Sequence, residues 1–504
     1  MTQTASATTF APESLPHRRQ AKERFVATRR EWLTPLGFLL TLSLLGLSFY
    51  PAALIVLFIL VNRWRRDRYD FVLMLTILLG GYGFVTKART GIFLPDLILP
   101  VCLILWMIYR KPPLLRKILV LLLIYFAGLF VFAMFSIESM TIQFLTIRNY
   151  MAIAYIILPV VVFSGHDFDL KLFFKKTIIY SLIISAFYII DAFIFSGNIL
   201  LPGTHTYEPR LSYFYSPIWY PASGMWFRKY PPGLFILSLA IYPLARYYKI
   251  SVWQWFVIII GVVASQTTTV ISALFLGYLA LRVKPATIFR YIFLTVLGCV
   301  AIYYIDGMLP VKKNEVGVES KLRIKSTVDQ FISLADMVDQ EDLAMFASGR
   351  MAQILPKFEL IAKEHKQAVG LGFLHREKTK INRYIIENEF YSDISQAEEV
   401  ATGVEVVPAQ IYINIGYLGL LMHIIVFVLL YWYLRRLRDS IYVANVMFII
   451  FWMSLGGFAG LAAWDGLMLV SISIGAVLLS NKDDIWPRRR LHNTDHLFNR
   501  MIIR

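Results

Sequence analysis

The stretch "LTPLGFLLTLSLLGLSFYPAALIVLFILV", residues 33–61, is the first apolar run of the chain and sets the orientation of every later helix. About 20 apolar residues cross a bilayer as a helix, so this run fits either one long span or two short ones. A break is expected at Tyr50 and Pro51, because proline interrupts a helix. Basic clusters flank the run on both sides. Since Lys and Arg collect on the cytoplasmic side, the sequence predicts a hairpin with both ends on that side.

The composition places the chain among membrane proteins. Hydrophobic residues make up 58% of its 504 positions and charged residues only 16%, which is too apolar for an ordinary soluble protein. The two cysteines, Cys102 and Cys299, both lie in apolar runs, where a thiol usually acts as a small hydrophobe. They therefore predict neither a disulfide framework nor a metal site.

Later basic clusters continue the pattern that the hairpin starts. They lie at 110–117, 171–176, 246–249, 282–284, 435–438 and 488–490. Each falls on the cytoplasmic side if the chain crosses the membrane an even number of times before it. The sequence thus predicts an all-α, multi-pass protein with about fourteen transmembrane helices and both termini in the cytoplasm.

The formal charge of +17 is interpreted as an orientation signal together with attraction to anionic lipids. No Gly-rich phosphate loop follows a strand-like run, and no Cys/His spacing is typical of a metal site. No cytoplasmic segment is long enough to bind a nucleotide. The sequence therefore predicts no nucleic-acid partner, no metal and no cofactor.

Two long outer segments interrupt the predicted bundle. A basic tail (1–32) precedes transmembrane helices at 33–305, which include an aromatic outer segment at 196–230. A large outer loop (306–408) precedes the last transmembrane helices (409–480) and a basic tail (481–504). The large loop far exceeds an ordinary connection, and such loops often carry function.

Part of the large loop has the pattern of a helix that packs against another surface. Ile354, Phe358 and Ile361 recur at helical spacing, with Lys357 and other lysines between them. The Gly-Leu-Gly sequence at 370–372 is expected to end this helix.

Four short motifs resemble the bacterial O-antigen polymerase and O-antigen ligase superfamily. They are "ASQTTTVISALFLGYLAL" (264–281), "SGRM" (348–351), "GLGF" (370–373) and "AQIYINIGYLGLL" (409–421). The resemblance implies a fold similar to membrane glycosyltransferases. These enzymes take sugars from polyprenyl-pyrophosphate carriers on the outer face of the membrane, without a metal.

One departure from the pattern bears on the type of enzyme. Ligases of this family usually carry a His eleven positions before the first Gly of a Gly-x-x-Gly pair, and here that position is Glu405. The resemblance therefore favours a polymerase of undecaprenyl-pyrophosphate-linked oligosaccharides in the bacterial inner membrane. A ligase that transfers glycan to lipid-A core is the alternative. A flippase and a chain-length regulator of the same pathway are the implied protein partners.

The implied transfer requires groups that bind a leaving pyrophosphate. Guanidinium groups suit it because they form bidentate, charge-assisted hydrogen bonds. Arg350, in the family-like motif, is the first candidate for stabilising the leaving group. Arg148 follows, because a cation inside the predicted span at 141–163 is costly unless it has a function or an acidic partner. Arg89, Arg210 and Arg228 are further pyrophosphate-binding candidates on the outer side.

The transfer also needs a base that accepts the proton of the acceptor hydroxyl. Glu405 is the main candidate, and His205 and Glu208 are alternatives. Most carboxylates of this loop are expected to be solvated surface charges. The same loop position thus fits either a catalytic base or an ordinary surface residue.

The aromatic outer segment is a candidate sugar-binding surface. Tyr213, Trp219 and Trp226 belong to a run of nine aromatic residues, and flat rings with polar edges suit the apolar faces of sugars. An interfacial aromatic belt is the alternative interpretation.

Two other classes of protein share some of these features. A lipid-linked oligosaccharide flippase would have a similar number of spans, but it does not require a long ordered outer loop. A non-catalytic assembly protein would fit the loop, but not a buried arginine in a span. The sequence favours the enzyme.

Overall fold

A computed structural model of the protein describes residues 22–47, 49–81, 113–136, 140–194, 236–264, 268–282, 350–373, 407–455 and 464–481, together with isolated positions at 98–105 and at 200. These residues are mostly helical, which agrees with the predicted all-α class. The helices are α1 (Arg29–Gly46), α2 (Pro51–Arg66), α3 (Arg68–Thr76), α4 (Pro113–Met134), α5 (Met140–Tyr150), α6 (Ile157–Val162), α7 (Leu170–Phe193), α8 (Leu237–Arg246), α9 (Val252–Ala264), α10 (Thr268–Arg282), α11 (Arg350–Lys363), α12 (Val407–Leu434), α13 (Ser440–Leu455) and α14 (Trp464–Ser480).

Four irregular or short elements complete the described part of the chain. A π-helical turn (Ile77–Gly81) continues α3, and a 3₁₀ helix (Met151–Ile156) joins α5 to α6. Two short strands, β1 (Glu23–Arg24) and β2 (Tyr248–Lys249), pair in parallel.

Within the described residues, three helices are long and apolar enough to cross a bilayer. They are α4, the part of α7 from Leu170 to Ile190, and α12. Several shorter apolar helices pack around them, and the described chain therefore has the character of a membrane protein. The expected total of about fourteen spans stays a prediction.

The predicted break in the first apolar run is confirmed. Helix α1 ends at Gly46 and α2 begins at Pro51, and the two helices pack against each other. The start of α1 and the end of α2 also lie at the same end of the bundle. Adjacent lysines of α7 bind both: Lys175 lies 2.8 Å from Glu31, and Lys176 lies 2.8 Å from Asp67. The run is therefore a hairpin.

Other basic clusters meet at this same end, which we name the basic end. The backbone N–H of Phe25 donates to the carbonyl of Lys249 at 3.0 Å. The Tyr247 hydroxyl donates to the Asp439 carboxylate at 2.5 Å. The loop that carries residues 435–438 and the loop that carries 246–249 are thus neighbours. For the clusters that follow α2, begin α7 and lie at 246–249 and 435–438, the predicted grouping of helix ends is confirmed.

Helix α7 lies at the centre of the described bundle. It packs against α1, α3, α8 and α9. At its contact with α9, a Cβ on Gly261 would lie only 2.6 Å from the Cα of Ser185, so the two backbones touch. Small residues allow such close packing between helices in a membrane.

Candidate functional site

Helix α12 is interrupted at Gly416, close to its N-terminus. This residue has φ 65° and ψ −171°, a conformation that is essentially restricted to glycine. The interruption divides α12 into a short half before Gly416 and a long half after it. Interrupting a helix leaves backbone carbonyls and N–H groups without intrahelical partners, and these must be satisfied elsewhere.

A segment of the large loop, residues 366–373, fills this interruption; we name it the strap. It donates two N–H groups to carbonyls at the end of the short half, and its own carbonyls accept two N–H groups from the start of the long half. The four bonds are Leu371 N to Ile413 O (2.7 Å), Gly372 N to Asn414 O (2.9 Å), Tyr417 N to Gln367 O (3.0 Å) and Leu418 N to Ala368 O (3.2 Å). The strap thus satisfies four of the backbone groups that the interruption leaves open.

The strap and α12 approach each other so closely that side chains are excluded from the contact. A Cβ on Gly370 would lie 2.5 Å from the backbone of Asn414, and one on Gly416 would overlap the backbone of Ala368. Gly370 also has a positive φ of 75°. The glycines of the family-like motif therefore mark the docking of two backbones. The prediction that Gly-Leu-Gly ends the loop helix was wrong in position, because α11 already ends at Lys363.

Three further hydrogen bonds hold the strap against α4 and α5. The Ser136 hydroxyl donates to the carbonyl of Leu371 at 3.0 Å, and the Lys366 ammonium donates to the carbonyl of Phe135 at 2.9 Å. The backbone N–H of Phe373 donates to the side-chain oxygen of Gln143. The strap is therefore fixed on two sides, by α12 and by α5 together with the two residues that follow α4.

Four buried polar side chains surround the strap, and we name them the polar cluster. They are Gln143, Tyr150, Asn414 and His423, and each is at most 3% exposed. Among the described residues, no hydrogen-bond partner is found for Gln143 Nε2, Tyr150 Oη, either side-chain polar atom of Asn414, or His423 Nε2. The Asn414 amide lies beside the Tyr150 hydroxyl, but the two do not meet the geometry of a hydrogen bond.

The members of the polar cluster are linked through ring contacts. The ring of Tyr150 lies 5.5 Å from that of Phe373 and 6.1 Å from that of His423, both edge to face. His423 Nδ1 is hydrogen-bonded to the hydroxyl of Tyr125 at 2.7 Å. Buried polar groups normally have partners, so a concentration of open ones is typical of a functional site. Amide and phenol groups both donate and accept hydrogen bonds, which suits a ligand rich in hydroxyl groups.

We expect Tyr125→Phe to destabilise the protein by about 1–3 kcal/mol, because it removes the partner of a fully buried imidazole nitrogen. Thermal unfolding in detergent measures the effect. In a double-mutant cycle with His423→Phe, the two losses should be strongly non-additive. The control is Tyr417→Phe, at an exposed position on α12, the helix that carries His423. Additive losses would show that the hydrogen bond contributes nothing.

The inner face of α11 packs on α12 and carries a buried lysine. Ile354, Lys357 and Leu360 are buried, whereas Phe358 is 39% exposed and stacks edge to face on Tyr412 at 5.3 Å. The sequence placed Lys357 among the lysines that separate the apolar positions, whereas the structure buries it on the packed face. The helix turns by about 100° per residue, which places position 357 at the middle of the face formed by the buried positions 354, 360 and 361. Burial lowers the pKa of Lys357 to about 7.

We expect Lys357→Met to stabilise the protein at neutral pH. The lysine pKa in the folded state lies below its ordinary value of 10.5, so the unfolded chain binds more protons between about pH 7 and pH 10.5. The free energy of unfolding should therefore rise with pH across this window. The Lys357→Met variant should lack this slope, and its gain in free energy of unfolding should be largest near pH 7. Unfolding measured from pH 7 to 10 tests this, with the exposed Lys363→Met as control. A wild-type slope of the opposite sign would contradict it.

The structure describes two of the arginines that the sequence selects. Arg350 is the first residue of α11. Arg148 is half-buried in α5, the helix that also supplies Gln143 and Tyr150. Gln143 and Tyr150 lie on the same face of α5, and Arg148 lies about 140° around the helix from Gln143. Arg148 therefore points away from both. The other predicted site residues lie outside the described residues: Arg89, His205, Glu208, Arg210, Tyr213, Trp219, Trp226, Arg228 and Glu405.

Sequence reasoning missed the polar cluster and the burial of Lys357. The available signal was the cost of placing polar side chains in apolar helices. Gln143 interrupts a predicted span, and His423 stands alone among apolar residues of α12. Such a residue is more often a packed core residue than a functional one. Proximity to the strap is what makes Gln143 and His423 candidates for a functional site.

The fold and the site together define a helical membrane protein in which a loop segment is inserted into an interrupted helix. Comparisons with protein families, with curated proteins and with solved structures find no match to this chain.

Proposed function

We propose that the protein polymerises undecaprenyl-pyrophosphate-linked oligosaccharides into exopolysaccharide, capsule or O-antigen on the outer face of the bacterial inner membrane. In this proposal the chain crosses the membrane about fourteen times, folds like the membrane glycosyltransferases and keeps both termini in the cytoplasm. The basic end faces the cytoplasm. The strap and α11 then lie on the opposite side, where lipid-linked sugars are presented.

The observation that carries the proposal is the docking of the strap into the interruption of α12. It joins the "GLGF" motif to the "INIGYLG" motif by backbone hydrogen bonds, and these are the motifs that resemble the polymerase and ligase superfamily. The polar cluster lies at this junction. Interrupted helices with nearby buried polar groups are common at the substrate sites of membrane proteins.

The proposed reaction is an inverting glycosyl transfer without a metal. The acceptor hydroxyl oxygen bonds to the anomeric carbon of the donor sugar as the bond from that carbon to the pyrophosphate oxygen breaks. Undecaprenyl pyrophosphate leaves with the electron pair, and the hydroxyl proton passes to Glu405. Arg350 stabilises the charge that develops on the leaving oxygen, and Arg148 binds the pyrophosphate with Arg89, Arg210 and Arg228. Tyr213, Trp219 and Trp226 contact the sugars.

An assay with purified protein and lipid-linked repeat units tests this function. Chain growth with release of undecaprenyl pyrophosphate is the expected result. Transfer of glycan to lipid-A core would establish the ligase instead. Movement of substrate between leaflets without a new glycosidic bond would establish a flippase, and binding without either change would indicate an assembly protein.

A further inference from the structure

Five basic residues lie in or beside the paired strands β1 and β2 at the basic end, and the proposed reaction does not use them. They come from the segment before β1, from β1 and β2, and from the last turns of α8 and α10. They are Lys22, Arg24, Arg246, Lys249 and Arg282. We name them the basic patch.

The pairing of β1 with β2 brings two of these charges together. Arg24 is the direct partner of Lys249 in the parallel pair. The strands are held by bonds from Glu23 N to Tyr247 O at 2.9 Å and from Phe25 N to Lys249 O at 3.0 Å. Like charges placed opposite each other destabilise a strand pair. A bound anion would reduce the repulsion between these two charges.

The other three charges converge on the C-terminal ends of two helices. The Lys22 ammonium donates to the carbonyl of Leu244 in α8 at 2.6 Å and is half-buried. Burial, together with the nearby Arg282 and Arg246, lowers the pKa of Lys22 to about 8. A helix C-terminus carries only about half a negative charge. The ends of α8 and α10 therefore leave most of the positive charge uncompensated.

Nearby carboxylates are engaged with other groups. Glu23 lies 2.6 Å from Lys171, on α7. Asp439 accepts hydrogen bonds from the hydroxyls of Tyr242 and Tyr247. In the part of the chain that the structure describes, no carboxylate forms an ion pair with any of the five basic residues. The patch is a site of concentrated positive charge.

Exposed apolar residues begin immediately after the patch. Val252 and Trp253, at the start of α9, are 83% and 76% exposed, and Phe256 is 52% exposed one turn later. The rings of Trp253 and Phe256 lie 5.9 Å apart, edge to face. Tryptophan beside basic residues at the end of an apolar helix is typical of the level of lipid headgroups. A ligand at this place meets charge on one side and an apolar helix surface on the other.

We propose that the basic patch binds the phosphate-bearing headgroup of an anionic membrane lipid, whose acyl chains lie along the exposed start of α9. The headgroup phosphate lies between Arg246, Arg282 and Lys22, and Trp253 contacts the glycerol and upper acyl region. This inference does not depend on the enzymatic activity, because the patch lies at the end of the bundle opposite to the strap.

Native mass spectrometry of the full chain, released from nanodiscs, tests the site. Nanodiscs of phosphatidylcholine with one-third phosphatidylglycerol should yield protein that retains a phosphatidylglycerol molecule. Each basic residue near an anionic surface strengthens lipid binding, and removing two of them should weaken the affinity about thirty-fold. Arg246→Gln/Arg282→Gln should therefore lose the retained lipid. Arg65→Gln/Arg66→Gln removes the same charge from exposed positions at the end of α2 and should keep it.

A second measurement uses the wild-type chain and so does not depend on whether a variant folds. Photoactivatable phosphatidylglycerol should form adducts within residues 244–256 in preference to a photoactivatable phosphatidylcholine of the same acyl chains. Equal labelling by the two lipids would overturn the proposal. So would equal lipid loss in the two double variants. Displacement of phosphatidylglycerol by millimolar inorganic pyrophosphate would assign the patch to a soluble anion, and displacement by an acidic peptide would assign it to a protein partner.

Discussion

Gly416→Ala should strongly destabilise the protein. The residue adopts φ 65° and ψ −171°, and holding a non-glycine residue there costs of order 1–3 kcal/mol. The added Cβ would also overlap the backbone of Ala368, which cannot rotate away. We expect the strap to detach from α12. Thermal unfolding and limited proteolysis at residues 364–373 should both report the loss.

Substitutions at two other glycines distinguish the two causes of this destabilisation, which are backbone strain and steric overlap. Gly165 has φ 70° but no atom within 4 Å of an added Cβ, so Gly165→Ala measures backbone strain alone. Gly37 lies in α1 with open space around it, and Gly37→Ala should be neutral or slightly stabilising because alanine favours a helix. If Gly416→Ala were no worse than Gly165→Ala, the close docking of strap and helix would be refuted.

Arg350→Ala should lower polymer formation by about 10²–10³-fold, the usual effect of removing one group that stabilises developing negative charge. Arg350 is the first residue of α11, the helix that packs on α12. Arg350→Lys should restore little activity, since an ammonium cannot reproduce the bidentate geometry of a guanidinium. Product length and initial rate with lipid-linked repeat units measure the effect.

The matched control for Arg350 is Arg436→Ala, an exposed arginine at the basic end. It should leave the rate unchanged, and both variants should unfold at the wild-type temperature. Wild-type polymer length from Arg350→Ala would remove this residue from the proposed mechanism. A lower unfolding temperature together with lower activity would show instead that Arg350 positions α11.

The parts of the fold that were predictable depend on neighbours along the sequence. Tyr50 and Pro51 stand where α1 and α2 separate, because proline limits the helix locally. Basic clusters predicted which helix ends meet, as the contacts of Lys175 and Lys176 with the hairpin show. Charge and apolar length act one helix at a time, so a single sequence is enough to read them.

The candidate site was only partly predictable. The glycines at 370 and 416 were visible as motifs, yet their purpose was not, since each is needed for a backbone contact with the other segment. The burial of Lys357 was not predicted, because lysine is rarely buried and the sequence does not reveal what packs on α11. Asn414 and His423 gave no signal beyond an unfavourable location in an apolar helix.

The sequence by itself determined that the chain is apolar enough for a membrane, where its first helices separate and which helix ends are grouped. These properties follow from local composition, which sets the free energy of each helix in apolar surroundings. Only the tertiary structure decided that the strap completes α12 and that Tyr125 meets His423, residues 298 positions apart. Such contacts form because buried polar groups, in the backbone and in side chains, must pair with a partner that the fold places nearby. The spacing of residues along the sequence does not indicate which partner that is.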